Sequence, residues 1–391
     1  MQAYGGRSVA TYPIGLLSSS TGPYDVVGRS ILNGAILALE EVNNATDHGV
    51  RLKPIMADPQ GETARYAPIC RDLLDAGTRH VVGCYTSSSR KELIPLMEKR
   101  EALLWYPSHY EGFESSSNVV YTGAVPNQHI VPLIDYVLDQ PHRRLFCIGS
   151  NYIWAWENNR VVREVLSSRG GSIVGERYFP VGDEDFSHVI DTIFAARPDY
   201  VFNTLIGRSA YRFFSLFRDA CARRNIDQAR TFPVLSCSLS EPELAEIEPA
   251  ARDGHISSSV YFSSIDSPEN RRFVTRYSQR FPIGPVVSAD AEASYVAVHL
   301  LALALKAAGT DAIDAVLSVA GQQVLQAPQG QIHLDPNTMH AFLTPRIGLS
   351  RADGSFGIVQ AAAVPLKPDP YLVCNAPRLE ISQIPKLRIV S

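Results

Sequence analysis

The chain has 391 residues, 45% of them hydrophobic and 19% charged, with a formal net charge of −4. That length exceeds one ordinary core and points to two lobes of roughly 150 to 200 residues each. The mild negative charge, without any Lys/Arg cluster, argues against a nucleic-acid surface, and the histidines are scattered singly with no HExxH or other ligand spacing, so neither a metal nor another cofactor is expected.

Residues 1–17, MQAYGGRSVATYPIGLL, lack a basic start, an apolar stretch and a small-residue cleavage site, so they do not read as a secretory leader. The expectation is a cytoplasmic location, with a periplasmic one as the alternative if a leader has been removed. The cysteines, at 70, 84, 147, 221, 237 and 374, form no CxxC; Cys84, Cys147 and Cys237 lie in apolar strand-like runs, which fits reduced, buried thiols.

In chain order, Thr11 to Leu17 reads as a strand and Val27 to Asn43 as a helix with Leu32, Ala35, Leu39 and Val42 on one face. A strand from Arg51 to Ala57 and a helix from Glu62 to Ala76 follow. Val81 to Tyr85 is a short β-branched run that passes directly into Thr86, Ser87, Ser88 and Ser89, before a helix from Arg90 to Arg100 with Pro95 inside it. Leu103 to Pro107 is the next strand, and it too ends in an aromatic and a hydroxyl, Tyr106 and Ser108. A strand that runs into hydroxyl residues at a helix start can make a polar ligand site, because the first turn leaves backbone N–H groups unpaired. The alternative is that Ser87 and Ser108 only cap helices and the tyrosines belong to the core.

After a strand at Asn118 to Gly123 the rhythm restarts, with strands at Arg144 to Ser150, Ser172 to Phe179, Asp199 to Leu205 and Phe232 to Leu239 and helices between them. Ile256 to Phe262, then helices at Ser267 to Arg280 and Ala289 to Ala308, read as a return to the first lobe. The apolar run within the last of these, interrupted by Ser294 and His299, falls short of a membrane span and reads as a buried helix. Short strands at Gln331 to Leu334 and Gly357 to Val364 close the pattern. The fold class is therefore α/β, with two doubly wound parallel-sheet lobes joined by several crossing strands. The lobes are expected at 1–122 with 260–328, and at 123–259 with 329–391.

Ligands of open α/β sheets bind beyond the carboxyl ends of the strands. In the second lobe those ends carry Asn151, Tyr152 and Trp154, then Leu205, Ile206 and Gly207, then Ser236, Ser238 and Ser240. No GxSxG, P-loop or GxGxxG is present. His109, Glu111 and Glu114 in SHYEGFESS allow acid–base chemistry but lack a matched partner, so binding without catalysis is the expectation.

The segments VVGCYTSSSRK, LLWYPSHYEGFE, NVVYTGAVPNQ, IGSNYIWAWENN, FNTLIGRS, YFSSIDSPENRRFV, QAPQGQIHLDPN and KPDPY together resemble the periplasmic-binding-protein fold of type I. Within it they resemble the branch that holds short-chain amides and urea, both the amide sensors of amidase operons and the urea-transporter binding proteins. FNTLIGRS and the serines from Ser236 to Ser240 look more like the urea receptors, whereas Tyr85 and YFSSIDSPENRRFV look more like the sensors.

The resemblance places amide contacts on Tyr85, Thr86 and Ser87, and on Tyr106, Pro107 and Ser108, with serine in place of threonine at the last. It also implies Tyr152, Trp154 where the branch has a second tyrosine, and Ser238, to which the strand-end residue Ile206 is added. It implies a small neutral amide or urea as ligand, and an antiterminator-type protein as the partner of a sensor. The alternative is an ABC-transporter permease as the partner of a receptor. Direct nucleic-acid contact and membrane insertion are not expected, and a homo-oligomer is left open.

Overall fold

The computed structural model describes residues 9–45, 49–141 and 143–373, so Cys374 lies outside the described residues. The first lobe opens with β1 (Ala10–Leu17), α1 (Asp25–Asn44), β2 (Val50–Ala57), α2 (Thr63–Asp75), β3 (His80–Gly83), α3 (Ser87–Lys99), β4 (Leu103–Tyr106) and β5 (Val119–Tyr121). The five strands form one parallel sheet in the order β2-β1-β3-β4-β5. Every residue of β3 and β4 is buried, which is why these strands read as continuous apolar runs, as strands covered on both faces do.

The second lobe follows with α4 (Pro126–Leu138), β6 (Arg144–Ser150), α5 (Ile153–Ser167), β7 (Ser172–Phe179), α6 (Ser187–Ala196) and β8 (Tyr200–Thr204). It continues through α7 (Arg208–Ala222), α8 (Gln228–Thr231), β9 (Val234–Ser236), α9 (Glu241–Glu246) and β10 (Ile256–Ser259). The chain then forms α10 (Pro268–Arg280), α11 (Ala289–Ala308), α12 (Ile313–Ala320), the hairpin β11 (Val324–Ala327) and β12 (Gly330–His333), and finally β13 (Arg346–Ser350) and β14 (Phe356–Ala361). The second sheet runs β14-β13-β10-β9-β8-β6-β7, parallel from β7 to β10, with β13 and β14 added antiparallel at one edge.

The strand read from Ile256 to Phe262 is β10, which pairs with β9 and β13 in the second sheet, inside the second-lobe bounds of 123–259, so the return to the first lobe begins after it. The residues after 328 do not pass at once to the second lobe: Ile332, Leu334, Ala341 and Leu343 pack into the first-lobe core beside Ile14 and Trp105. The chain crosses between lobes after β5, after β10 and between Leu343 and β13. At the first crossing Tyr121 N–H donates to Met339 O at 2.8 Å, and Ala341 N–H donates to Tyr121 O at 2.9 Å.

Helix α11 carries the first lobe. Its 20 residues are long and apolar enough to cross a membrane, contrary to the shorter run read from sequence. Yet it lies against α1 and the back of the sheet, with thirteen of its residues buried. The two helices cross where a β-carbon on Gly34 would sit 2.0 Å from Ala291 O, so only glycine allows the approach.

Candidate functional site

Strand order reverses between β1 and β3 in one sheet and between β6 and β8 in the other. These are the switch points at which open α/β sheets leave a crevice. The loops that leave them carry Tyr24, Tyr85 and Thr86 on one lobe, and Tyr152, Ile206 and Gly207 on the other. The lobes touch there: a β-carbon on Gly207, whose φ is 56°, would fall 2.4 Å from Pro23 O across the cleft. His109 and Trp154 meet edge to face at 5.4 Å between ring centres.

Thr86 is the N-cap of α3. Its hydroxyl accepts from Ser89 N–H at 3.2 Å and donates to Ser89 Oγ at 3.0 Å, so its side chain is spent on the helix. Ser87 and Ser88, the next two residues, have backbone N–H groups that no acceptor within the helix can reach. The Ser87 hydroxyl donates to the Glu111 carboxylate. Arg90, fully buried, binds Glu111 at 3.0 Å and Glu114 at 2.6 Å and lies 4.9 and 4.5 Å from the ring centres of Tyr106 and Tyr110. Burial opposes ionisation of Glu114, but Arg90 outweighs it and holds the carboxyl below its ordinary pKa. The two glutamates considered for acid–base work thus form the clamp on one arginine.

Tyr106 donates its hydroxyl to Tyr85 O at 2.6 Å, so it fixes the backbone ahead of α3. Ser108 donates to Asp290 Oδ1 at 3.1 Å. Pro107 lines a chamber of about 20 Å³ with His109, His129, Ser258 and Asp290. On the other lobe Tyr152 and Trp154 stack at 6.2 Å, and Ile206 packs on Trp154. The Trp154 Nε1–H is buried without a partner. Burial pushes the Tyr85 and Tyr152 hydroxyls well above their ordinary pKa, and each feels the acidic groups of the opposite lobe. Ser238 lies two residues beyond β9, with its hydroxyl 3.3 Å from that of Ser236.

Four groups near this cleft were missed from sequence. Tyr24 lies 5.5 Å from Tyr85 between ring centres. Tyr211 has a buried hydroxyl without a hydrogen-bond partner. Burial pushes Glu243 up to about 8 and Asp290 up to about 6, with Asp290 adding to the rise at Glu243. Glu243 was legible only as the last residue of a Ser-x-x-Glu capping box, Ser240 to Glu243, and Asp290 only as an acid in the first turn of α11. Their place beside the cleft depends on the fold.

A hollow of about 690 Å³ lies elsewhere, between α1, α10 and α11 on the outside of the first lobe. It is lined by the ion pairs Arg276–Glu41 and Arg280–Glu40, which satisfy each other. The hollow at the cleft mouth, about 520 Å³, is lined by Tyr24, Arg29, Val181, Ile206 and Arg208 and leads to the strand ends. Among the described residues no cluster of His, Cys, Asp and Glu could hold a metal ion, and Cys70, Cys84, Cys147, Cys221 and Cys237 are buried free thiols.

A family model described as a periplasmic binding protein domain matches residues 12–377. A "Leu/Ile/Val-binding protein homolog 6" of Brucella abortus is 22% identical over 334 residues, 84% of each chain. A solute-binding protein of an R. palustris ABC transporter, solved with 4-hydroxybenzoate, superposes with a TM-score of 0.81 at 18% identity, over 91% of this chain and 98% of that one. The branched-chain amino acid transporter substrate-binding protein LivJ of Streptococcus pneumoniae, solved with isoleucine, gives 0.74 at 19% identity, over 91% and 100%.

Proposed function

This chain belongs to the periplasmic binding protein family, and we propose that it is the solute receptor of an ABC transporter, closing on a short neutral amide or urea. The observation that carries the ligand class is the direction of two hydroxyls. Ser87 and Ser108 each give their proton to a carboxyl, Glu111 and Asp290, so what they offer a ligand is lone pairs. A ligand rich in N–H groups suits them. The first-turn amides of α3, which helix geometry leaves without an acceptor inside the helix, and the buried, unpartnered Trp154 Nε1 call for a carbonyl on the ligand. Rings of Tyr85, Tyr152 and Trp154 supply apolar walls; Arg90 is fully buried under its two glutamates, and Arg29, paired with Asp25, and Arg208 stand at the cleft mouth.

The transporter role is preferred over the amidase-operon sensor because the relatives and solved structures compared include solute receptors of ABC transporters, and an antiterminator partner rests on motif likeness alone. The same relatives favour the periplasmic alternative over the cytoplasmic location read from the N-terminus. Benzoates and branched-chain amino acids are what those proteins hold, and they differ from this site's chemistry, since both carry a carboxylate. Incubating the protein with acetamide and with urea, then assaying for bound ligand and for released ammonia, tests the reading. Saturable binding without ammonia is expected; catalytic ammonia release that Ser108→Ala abolishes would refute it.

A further inference from the structure

The chamber behind Pro107 lies where the chain crosses between the lobes. Its walls include Gly123 just after β5, Ser258 on β10 and Asp290 at the start of α11. His129 reaches it from α4. The His109 ring, also on its wall, meets His129 edge to face at 5.7 Å and Trp154 at 5.4 Å, so it stands between the chamber and the aromatic side of the cleft. Two polar atoms of the walls are buried without a hydrogen-bond partner among the described residues, His129 Nδ1 and Ser258 Oγ. Their residues are 1% and 0% exposed, and orphaned polar groups at such depth are costly unless something pairs with them.

What these groups do elsewhere fixes what they offer the chamber. His129 Nε2 lies 3.1 Å from Tyr110 O, a carbonyl that can only accept, so Nε2 carries the ring proton. Burial keeps the ring neutral, its pKa pushed down to about 3, and Nδ1 is therefore a lone pair. The Asp290 carboxylate accepts from Ser108 and is likewise an acceptor. The Ser258 hydroxyl has a proton to give. An occupant must then donate twice and accept once, inside about 20 Å³, which is room for about one water-sized molecule. An ammonium ion brings only donors and a metal ion only charge, so neither takes the Ser258 proton. We propose that the chamber is a site for one water molecule, which donates to His129 Nδ1 and the Asp290 carboxylate and accepts from the Ser258 hydroxyl. This water joins α4 and β10 of the second lobe to α11 of the first, and it steadies the carboxylate that receives the Ser108 proton. It is separate from the solute and does not depend on which solute binds.

A crystal structure of the wild-type protein, at a resolution that shows ordered solvent, reads this directly. One peak is expected within about 2.6–3.2 Å of His129 Nδ1, Ser258 Oγ and an Asp290 carboxyl oxygen. Crystals soaked in rubidium chloride should give no anomalous signal there. A map without a peak in the chamber would overturn the inference, and so would a rubidium signal, which would make it a cation site. In solution, the sign of a stability change separates the two cases. Ser258→Ala takes one partner from the water, so the midpoint of unfolding in guanidinium chloride should fall. Around a chamber without water the same substitution deletes an orphaned hydroxyl, and the midpoint should rise. A raised or unchanged midpoint would therefore also overturn the inference. If Ser258→Ala does not fold, the wild-type map alone decides.

Discussion

The Ser87 hydroxyl is held by Glu111, whose other oxygen is bound by Arg90 at 3.0 Å. One end of this chain of contacts is a residue at the cleft, and the other is a fully buried guanidinium in the first-lobe core. Ligand-facing geometry and core stability are therefore linked through Glu111.

Glu111→Ala should show both effects. Removing one partner of a buried pair costs about 3–5 kcal/mol, here toward the lower end because Glu114 still holds Arg90. Amide affinity should fall as well, since the Ser87 proton becomes free to turn into the cleft. Urea-induced unfolding and ligand titration measure the two; a stability loss under about 1 kcal/mol would show that the clamp is unimportant.

The aromatic walls should set ligand length. With Tyr152 and Trp154 stacked across from Tyr85, each methylene beyond acetamide has to displace a ring. One methylene in such a site is worth about 1–3 kcal/mol, or roughly 10- to 200-fold. Acetamide or propionamide should bind clearly better than butyramide, and Trp154→Ala should narrow that gap. Equal wild-type affinities for acetamide and butyramide would remove the wall.

Acid should weaken the first lobe through Glu41. Burial alone would raise its pKa, but the His299 ring 3.4 Å away and hydrogen bonds from Tyr295 and Arg276 outweigh it and hold the carboxyl at about 2. A depressed carboxyl stabilises the fold fully above the ordinary carboxylate range and loses that contribution as pH falls toward 2. Glu41→Gln should be less stable than wild type at pH 7 by on the order of 2 kcal/mol after allowance for screening. The difference should vanish near pH 2; a constant gap from pH 7 to pH 2 would count against this linkage.

Ligand should favour the closed arrangement, since residues of both lobes meet at the cleft, Pro23 with Gly207 and His109 with Trp154. Small-angle scattering should give a smaller radius of gyration with saturating acetamide than without. Unchanged curves, starting from an open free form, would rule out closure.

The alternation of strand and helix was legible because fully buried parallel strands are apolar throughout, as at Val81 and Leu104, and amphipathic helices repeat, as at Leu32, Ala35 and Leu39. Boundaries were less so. The helix was read from Arg90 with Ser87 to Ser89 ahead of it, because serines are poor helix formers, yet Thr86 caps all three into α3. The strand β13 and the first-lobe packing of Ile332 and Leu343 escaped notice because short segments among Pro, Gly and Asp carry little periodicity. At the site, the strand-end residues Tyr85, Ser87, Ser108, Tyr152 and Trp154 were legible from position. Their division of labour was not: Tyr106 serves the backbone, Thr86 caps, and Glu243 and Asp290 arrive from α9 and α11, elements remote in sequence from the first-lobe strand ends.

The most direct test of the central claim is one calorimetric panel on the protein stripped of ligand by unfolding and refolding, titrated at pH 7 with acetamide, urea, benzoate and leucine. The account expects saturable one-site binding of acetamide or urea and none of benzoate or leucine at the same concentrations, because the strand ends offer acceptors and neutral donors, with Arg29 and Arg208 standing at the cleft mouth. Tight binding of benzoate or leucine with no response to acetamide or urea would contradict it.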